Sequence, residues 1–493
     1  MPDTPSESRP SAARAAFLSS LIPGWGHAYA GRRRPARAWF IVFLVLVAGA
    51  VVVWFAFRNE LLQVLVTPRG IIWLLVGNAA LLGIRAWATI GAYRSGRPGG
   101  GSAAALNVLV AALLVLAPHV AAGYVLWAGH DLITSVFQPT PSVASPTTTT
   151  TSTPGTTGTG PTTTTLPPTT TTTEPPRIWD GVERLNIALL GSDMRPNQET
   201  LDPKDPRYVG HRTDVMIVVS INPRPPYDVA ILSVPRFLSN FEMPEGYGVP
   251  RSIDEWDWIG HVYRRAEDIA PEMYPGPQSP GVNAVKTALG TLFGIDIHYY
   301  AMVTVAGFQD LVDALGGVTI DVPRRIVDRN YDTADDHWGA TRTTVVIEEG
   351  RQHLDGFHAL AYARIRSQSH EFARMQRQRC LIAALVEQTS PVELLFNLGD
   401  ISNAIKENVT TDIPQGALAD FVALLPNLST ENFTTLSIDR SAYEIPAPNH
   451  LIRYFDVEQI REDAQLLMRD PEAARAALGL SGLDETCTET LDP

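Results

Sequence analysis

Apolar and polar positions alternate in three different ways along this chain. Residues 39 to 57, "WFIVFLVLVAGAVVVWFAF", run without a charge for about the length of a bilayer-spanning helix. A second apolar run covers 71 to 93, interrupted by Arg85, and a third covers 103 to 128, with Pro118 and His119 inside it. Further on, "RLNIALLGSD", "TDVMIVVSINP" and "YDVAILSVPR" are short apolar runs ending in turn residues, and they predict buried strands. "GVTIDVP" and "TTVVIEEG" predict two more. Helical spacing governs "GVNAVKTALGTLFG", "VAGFQDLVDALGG", "DGFHALAYAR" and "EFARMQRQRCLIAALVEQ". It returns in "PVELLFNLGDISNAIKEN", "PQGALADFVALLP" and "VEQIREDAQLLMRDPEAARAALG". Strands and helices mixed in this way predict an α/β domain with a central mixed β-sheet flanked by helices on both faces, preceded by an α-helical transmembrane anchor.

Between these regions, 139 to 177 is almost wholly Thr, Pro, Ser and Gly. It lacks the apolar content to bury a core and predicts an extended stalk that gives the following domain reach. The expected organisation is a cytoplasmic N-terminus (1–37), a three-helix anchor (38–130), the stalk (139–177), one large domain (178–475) and a C-terminal tail (476–493).

Charge orients the anchor. Arg9, Arg14, Arg32, Arg33, Arg34 and Arg37 precede the first span, and Arg94 and Arg97 separate the second from the third. The first-to-second loop offers only Arg58 and Arg69, offset by Glu60. The positive-inside rule therefore predicts a multi-pass cell-membrane protein with its C-terminal domain extracellular. "LIPGWGHAYAGRRR", before the first span, reads as an interfacial turn with Trp25 and Tyr29 at headgroup depth. Only two cysteines occur, Cys380 and Cys487, and in an exported domain they form either a disulfide or two inert thiols.

The chain has a formal net charge of -13, yet Arg364, Arg366, Arg374, Arg377 and Arg379 crowd into "ARIRSQSHEFARMQRQR". On a helix from 371 to 388, Arg374, Arg377 and Gln378 share a face, whereas Arg379 is rotated away. Phe372, Met375, Ile382, Leu385 and Val386 supply its buried side. Converging guanidiniums at the N-terminal half of a helix suit phosphate oxygens, since each donates two hydrogen bonds. Asp193 and Arg195 follow the first strand, Arg212 and Asp214 open the second, and Arg236 follows the third. Two carboxylates among arginines at strand ends suit a magnesium ion bound to a diphosphate, although each aspartate alone reads equally as a turn or cap. The histidines show no paired metal spacing, and neither a Walker loop nor a Gly-x-Ser-x-Gly elbow occurs.

The motifs "LNIALLGSDMR", "HRTDVMIVVSINP", "VAILSVPR", "VDALGGVTIDVP", "LDGFHALAYARIR" and "FARMQRQR", in this order from about Leu185 to Glu387, resemble the LytR-CpsA-Psr family of bacterial envelope proteins. The anchor with its Thr/Pro stalk is similar to actinobacterial members. The resemblance implies a phosphotransferase that attaches a polyprenyl-diphosphate-linked glycopolymer to peptidoglycan, with magnesium as cofactor and no nucleic-acid partner. It implies catalytic roles for Arg212, Asp214, Arg236, Arg364, Arg366 and Arg374, substrate contacts from Arg195, Arg377 and Gln378, and metal binding by Asp193 and Asp214. Three departures stand out: Phe237 replaces a carboxylate after "PR", Glu371 stands where an aspartate is common, and "IDEWDWIGHVYRRAED" matches no family segment. Phe237 keeps open a non-catalytic module that binds envelope glycans or their lipid carrier. The same arginine–metal site could also hydrolyse the carrier as a pyrophosphatase.

Overall fold

The computed structural model describes residues 10–99, 101–138, 177–194, 212–244, 258–333, 341–366, 371–389, 397–428, 430–447 and 453–482. The N-terminal region is five helices, α1 (Ala12–Leu21), α2 (Trp25–Tyr29), α3 (Arg33–Leu65), α4 (Pro68–Ser95) and α5 (Ser102–Val136). The last three are long and apolar enough to cross a membrane. Their large side chains point outward, with Phe55 79%, Trp73 73% and Trp87 71% exposed, a surface that suits lipid and not water.

The segment expected as an interfacial turn carries the short helix α2, which with the preceding α1 forms a helical hairpin packed into this bundle. Ala12, Ala13, Ala15 and Ala16 of α1 are buried against α4 and α5, as small side chains permit close backbone approach. The chain reverses at Gly24, whose φ is 103°, and α2 crosses α1 so closely that a Cβ on Gly26 would lie 1.8 Å from the Ala15 carbonyl oxygen. Arg85 donates from Nη2 to the carbonyl oxygens of Ser20 at 2.9 Å and Leu114 at 3.2 Å. A helix that ends inside a bundle leaves carbonyls unbonded, and this guanidinium satisfies one of them in α1's last turn.

The C-terminal domain is built on strands β1 (Leu185–Ser192), β2 (Thr213–Ile221), β3 (Val229–Val234), β4 (Tyr299–Thr304), β5 (Val318–Val322), β6 (Ile326–Asp332), β7 (Arg342–Ile347), β8 (Gly350–Leu354), β9 (Val409–Thr411) and β10 (Phe433–Ser437). Its longer helices are α6 (Pro280–Phe293), α7 (Val305–Ala314), α8 (Gly356–Arg364), α9 (Glu371–Gln388), α10 (Leu398–Asn408), α11 (Ala417–Leu424), α12 (Val457–Arg469) and α13 (Pro471–Leu478). A six-stranded sheet runs β10-β3-β2-β1-β4-β9, mixing parallel β10–β3 and β1–β4 pairs with antiparallel ones.

The period-2 pattern places Ala188, Leu190, Met216, Val218, Ala230, Leu232 and Val234 on one face, under Leu289, Leu292 and Phe293 of α6 and Ile460, Ala464 and Leu467 of α12. Leu185, Ile187, Ile217, Ile221, Val229 and Ile231 face the other way, against Ala383 of α9 and Leu424 of α11. The central mixed sheet covered on both faces is thus as the mixture of apolar strand runs and helical segments predicts. A smaller layer, β5 paired with β8 and β6 with β7, packs with α8 and the middle of α9 around Val318, Ile320, Val345, Tyr362 and Leu381.

Two elements depart from the expected pattern. The long helix expected over 457–479 breaks at Asp470, where φ is -146° and its carboxylate accepts the Ala473 amide at 3.0 Å, with Pro471 opening α13. Helix α9 is buried on nearly all sides of its N-terminal half, whereas Val386, expected on its buried side, is 59% exposed. Cys380 on α9 is disulfide-bonded, and the chain's other cysteine, Cys487, lies outside the described residues.

Candidate functional site

The site begins where β1 and β2 lose their regular register. Gly191 pairs with Val215 but Ser192 pairs with Thr213, so Asp214 is the extra residue of a β-bulge on β2. A bulge re-aims a side chain out of the regular alternation, and here the bulged residue is Asp214. Asp193, one residue beyond β1, lies across from Arg212. The Asp193 amide donates to the Arg212 carbonyl at 3.1 Å, and the Arg212 amide returns a bond to Asp193 Oδ1 at 2.9 Å. Arg212 Nε donates to Asp193 Oδ2 at 2.7 Å, and Nη2 joins the same oxygen.

Arg236, two residues past β3, donates from Nη1 to Asp214 Oδ1 at 2.5 Å. From the opposite side Arg374 Nη2, in the first turns of α9, donates to the Asp214 carbonyl oxygen at 3.3 Å. Arg374 is only 4% exposed, while the Asp214 side chain keeps 27%. Four chain segments thus bring Asp193, Arg212, Asp214, Arg236 and Arg374 together.

The two carboxylates are held differently. Burial, then repulsion from Asp214, pushes the Asp193 carboxyl above the usual carboxylate range despite Arg212. Burial works against charge at Asp214 too, but the Arg236 and Arg374 guanidiniums overcome it and hold that carboxyl down at about 2. Among the described residues no cluster of three or more metal-ligating side chains occurs. Asp193 and Asp214 are the two carboxylates of this cluster that could hold a cation.

The remaining arginines form a second group at the end of α8. Arg364 Nη1 donates to Tyr331 Oη at 3.4 Å and the Asp332 carbonyl at 3.2 Å, its guanidinium 5.7 Å above the Tyr331 ring. Arg377 is 2% exposed, and its Nε donates to the Tyr362 carbonyl at 2.7 Å, its Nη2 to the Ile365 carbonyl. Gln378 Nε2 donates to the Ala363 carbonyl at 3.2 Å. These side chains satisfy carbonyls that the end of a helix leaves open, and so fix α8 to α9. Arg366 is exposed. Arg379 donates to Ser437 Oγ at the end of β10 at 2.9 Å. Arg195 lies outside the described residues, as do 367–370 and the side chain of Glu371.

Phe237 packs edge-on against Phe372 at 5.7 Å and tilted against Phe455 at 5.9 Å. An apolar ring joined to the hydrophobic core therefore stands next to Arg236, at the position where the family pattern has a carboxylate. The segment that matches no family motif supplies Gly260, whose amide donates to the Arg236 carbonyl at 2.9 Å. A Cβ there would lie 2.9 Å from Arg236 Cβ, so only glycine lets this loop support Arg236 so closely. Sequence reasoning missed Gly260 because a lone glycine between aromatic residues carries no chemical signature.

The profile of the LytR_cpsA_psr family matches residues 159–465. The polyisoprenyl-teichoic acid–peptidoglycan teichoic acid transferase TagU of Bacillus mycoides (strain KBAB4) is 25% identical over 270 residues, covering 54% of this chain and 70% of that protein. The protein of the same name from Oceanobacillus iheyensis is 27% identical over 264 residues, covering 52% and 67%. The crystal structure of B. subtilis TagV aligns with a TM-score of 0.41 and 21% identity, covering 58% of this chain and 98% of that one. With the match spanning the sheet, both arginine groups and the aspartates between them, this chain belongs to the LytR-CpsA-Psr family.

Proposed function

We propose that this protein transfers a glycopolymer from a polyprenyl diphosphate carrier to a hydroxyl of peptidoglycan. The observation that carries the reading is the bulged Asp214 held by Arg236 and Arg374 beside the Asp193–Arg212 pair. It occurs in a family member whose curated relatives are named teichoic acid transferases. Preorganised guanidiniums stabilise the charge that gathers on phosphate oxygens as transfer proceeds, which is the main contribution a protein makes to such chemistry.

In this reaction the acceptor hydroxyl oxygen bonds to the phosphorus nearest the polymer, and the bond from that phosphorus to the bridging oxygen breaks. Polyprenyl monophosphate leaves with the electron pair, and the hydroxyl proton passes to Asp193 or Asp214. A magnesium ion held by Asp193 and Asp214 would add positive charge at the phosphate oxygens. Arg212, Arg236 and Arg374 orient the diphosphate, Arg364 and Arg366 approach it from the α8 end, and Phe237 excludes water beside Arg236. The anchor crosses the membrane three times with the domain on the outer face, where carrier and wall meet. The test is a reaction of purified protein with magnesium, carrier-linked glycan and peptidoglycan fragments. Linked polymer together with polyprenyl monophosphate supports transfer, whereas free polymer phosphate indicates hydrolysis and binding without release indicates a non-catalytic module.

A further inference from the structure

Helix α5 is 35 residues long, about 52 Å at 1.5 Å per residue, well beyond a hydrocarbon core of about 30 Å. Tyr124 and Trp127, each 56% exposed with ring centroids 6.3 Å apart, mark the depth at which it reaches the headgroups. From that level outward α5 does not stand free but runs along α10 of the C-terminal domain. A Cβ on Gly399 would lie 2.5 Å from Tyr124 Oη, and one on Gly129 would lie 3.8 Å from Leu398 Cδ2. Lys406 Nζ meets Asp131 Oδ2 at 2.5 Å. At the helix end, Gln138 donates its amide to the Ile413 carbonyl at 3.2 Å, and its own carbonyl accepts the Gln415 amide at 2.8 Å. Beyond the Thr/Pro segment, the Ile178 amide donates to Asp420 Oδ2 at 2.9 Å.

We infer that the C-terminal domain is seated on its own anchor through the α5–α10 face, at the membrane surface. Both flanks of the Thr/Pro segment are fastened to one strip of the domain, Ile413 to Asp420, so the length of 139–176 does not set the distance between domain and bilayer. The two small contacts, Gly129 and Gly399, allow close approach, and the Asp131–Lys406 pair fixes the register of one helix on the other. This seating is independent of the transfer chemistry.

The test uses the full chain in membranes with Asp131→Cys and Lys406→Cys, a protease site inserted in 139–176, and a short bismaleimide cross-linker. Cys380 is already in a disulfide and does not compete. After cleavage the two fragments should migrate as one species, in a yield several-fold above an Asp131→Cys, Arg329→Cys control pair. That yield should be unchanged when 139–176 is replaced by a Gly/Ser segment of half its length. A yield no higher than the control's, or one that falls several-fold with the shorter segment, overturns the inference. Because cross-linking is read without substrate, loss of transfer activity alone leaves it standing.

Discussion

Asp193 and Asp214 stand on neighbouring strand ends, yet their surroundings treat charge in opposite ways, and this separates their expected phenotypes. Asp214, held at about 2 by Arg236 and Arg374, contributes stability present in full above the ordinary carboxylate range near 4 and lost as pH falls through about 2. Asp214→Asn should therefore cost about 2 kcal/mol at pH 7 and abolish transfer. Asp193 is raised, so its charged form opposes folding at neutral pH, and the stability it contributes is lost as pH rises through its folded value. Asp193→Asn should abolish transfer while leaving the pH 7 melting temperature unchanged or higher; calorimetry beside the transfer assay reads both.

Arg374→Ala should abolish transfer. Arg379→Ala should keep transfer per folded molecule while costing about 1–2 kcal/mol for its lost bond to Ser437. Helical spacing separates Arg374 from Arg379 in the sequence, and the structure gives them different partners, the Asp214 carbonyl and the Ser437 hydroxyl. Spacing could not show that Phe237 turns into an aromatic cluster, because one residue's partners lie in segments far along the chain.

At the scale of elements, strands β1 to β3 were readable because both sheet faces are buried, which leaves continuous apolar runs bounded by turn residues. The bulge at Asp214 was not readable, since a one-residue register change alters neither composition nor period. Helix α1 escaped notice because its buried residues are alanine and serine, which give little amphipathic contrast. The division between α12 and α13 was signalled by Asp470-Pro471, and the helical period on both sides of it masked the break. Arg377, with Tyr362 and Ile365 carbonyls on one guanidinium, ties α9 to the end of α8. Arg377→Ala should cost about 3 kcal/mol by leaving two buried carbonyls unbonded. Arg366→Ala, on an exposed side chain, should cost less than Arg377→Ala, and thermal melting of the two variants tests the contrast.

For the whole molecule, the acidic net charge and the basic site are compatible because the basic site's charges are local and paired. Arg212 and Arg236 meet Asp193 and Asp214, so this part of the site is ordered before any ligand enters it. The most direct measurement incubates the purified full chain with magnesium, a polyprenyl diphosphate glycan labelled on its proximal phosphate, and peptidoglycan. Label should be covalently joined to peptidoglycan with one polyprenyl monophosphate released per linkage, and Arg374→Ala should give neither product. Carrier bound without release, or label released into solution as free glycan phosphate, would contradict transfer to peptidoglycan.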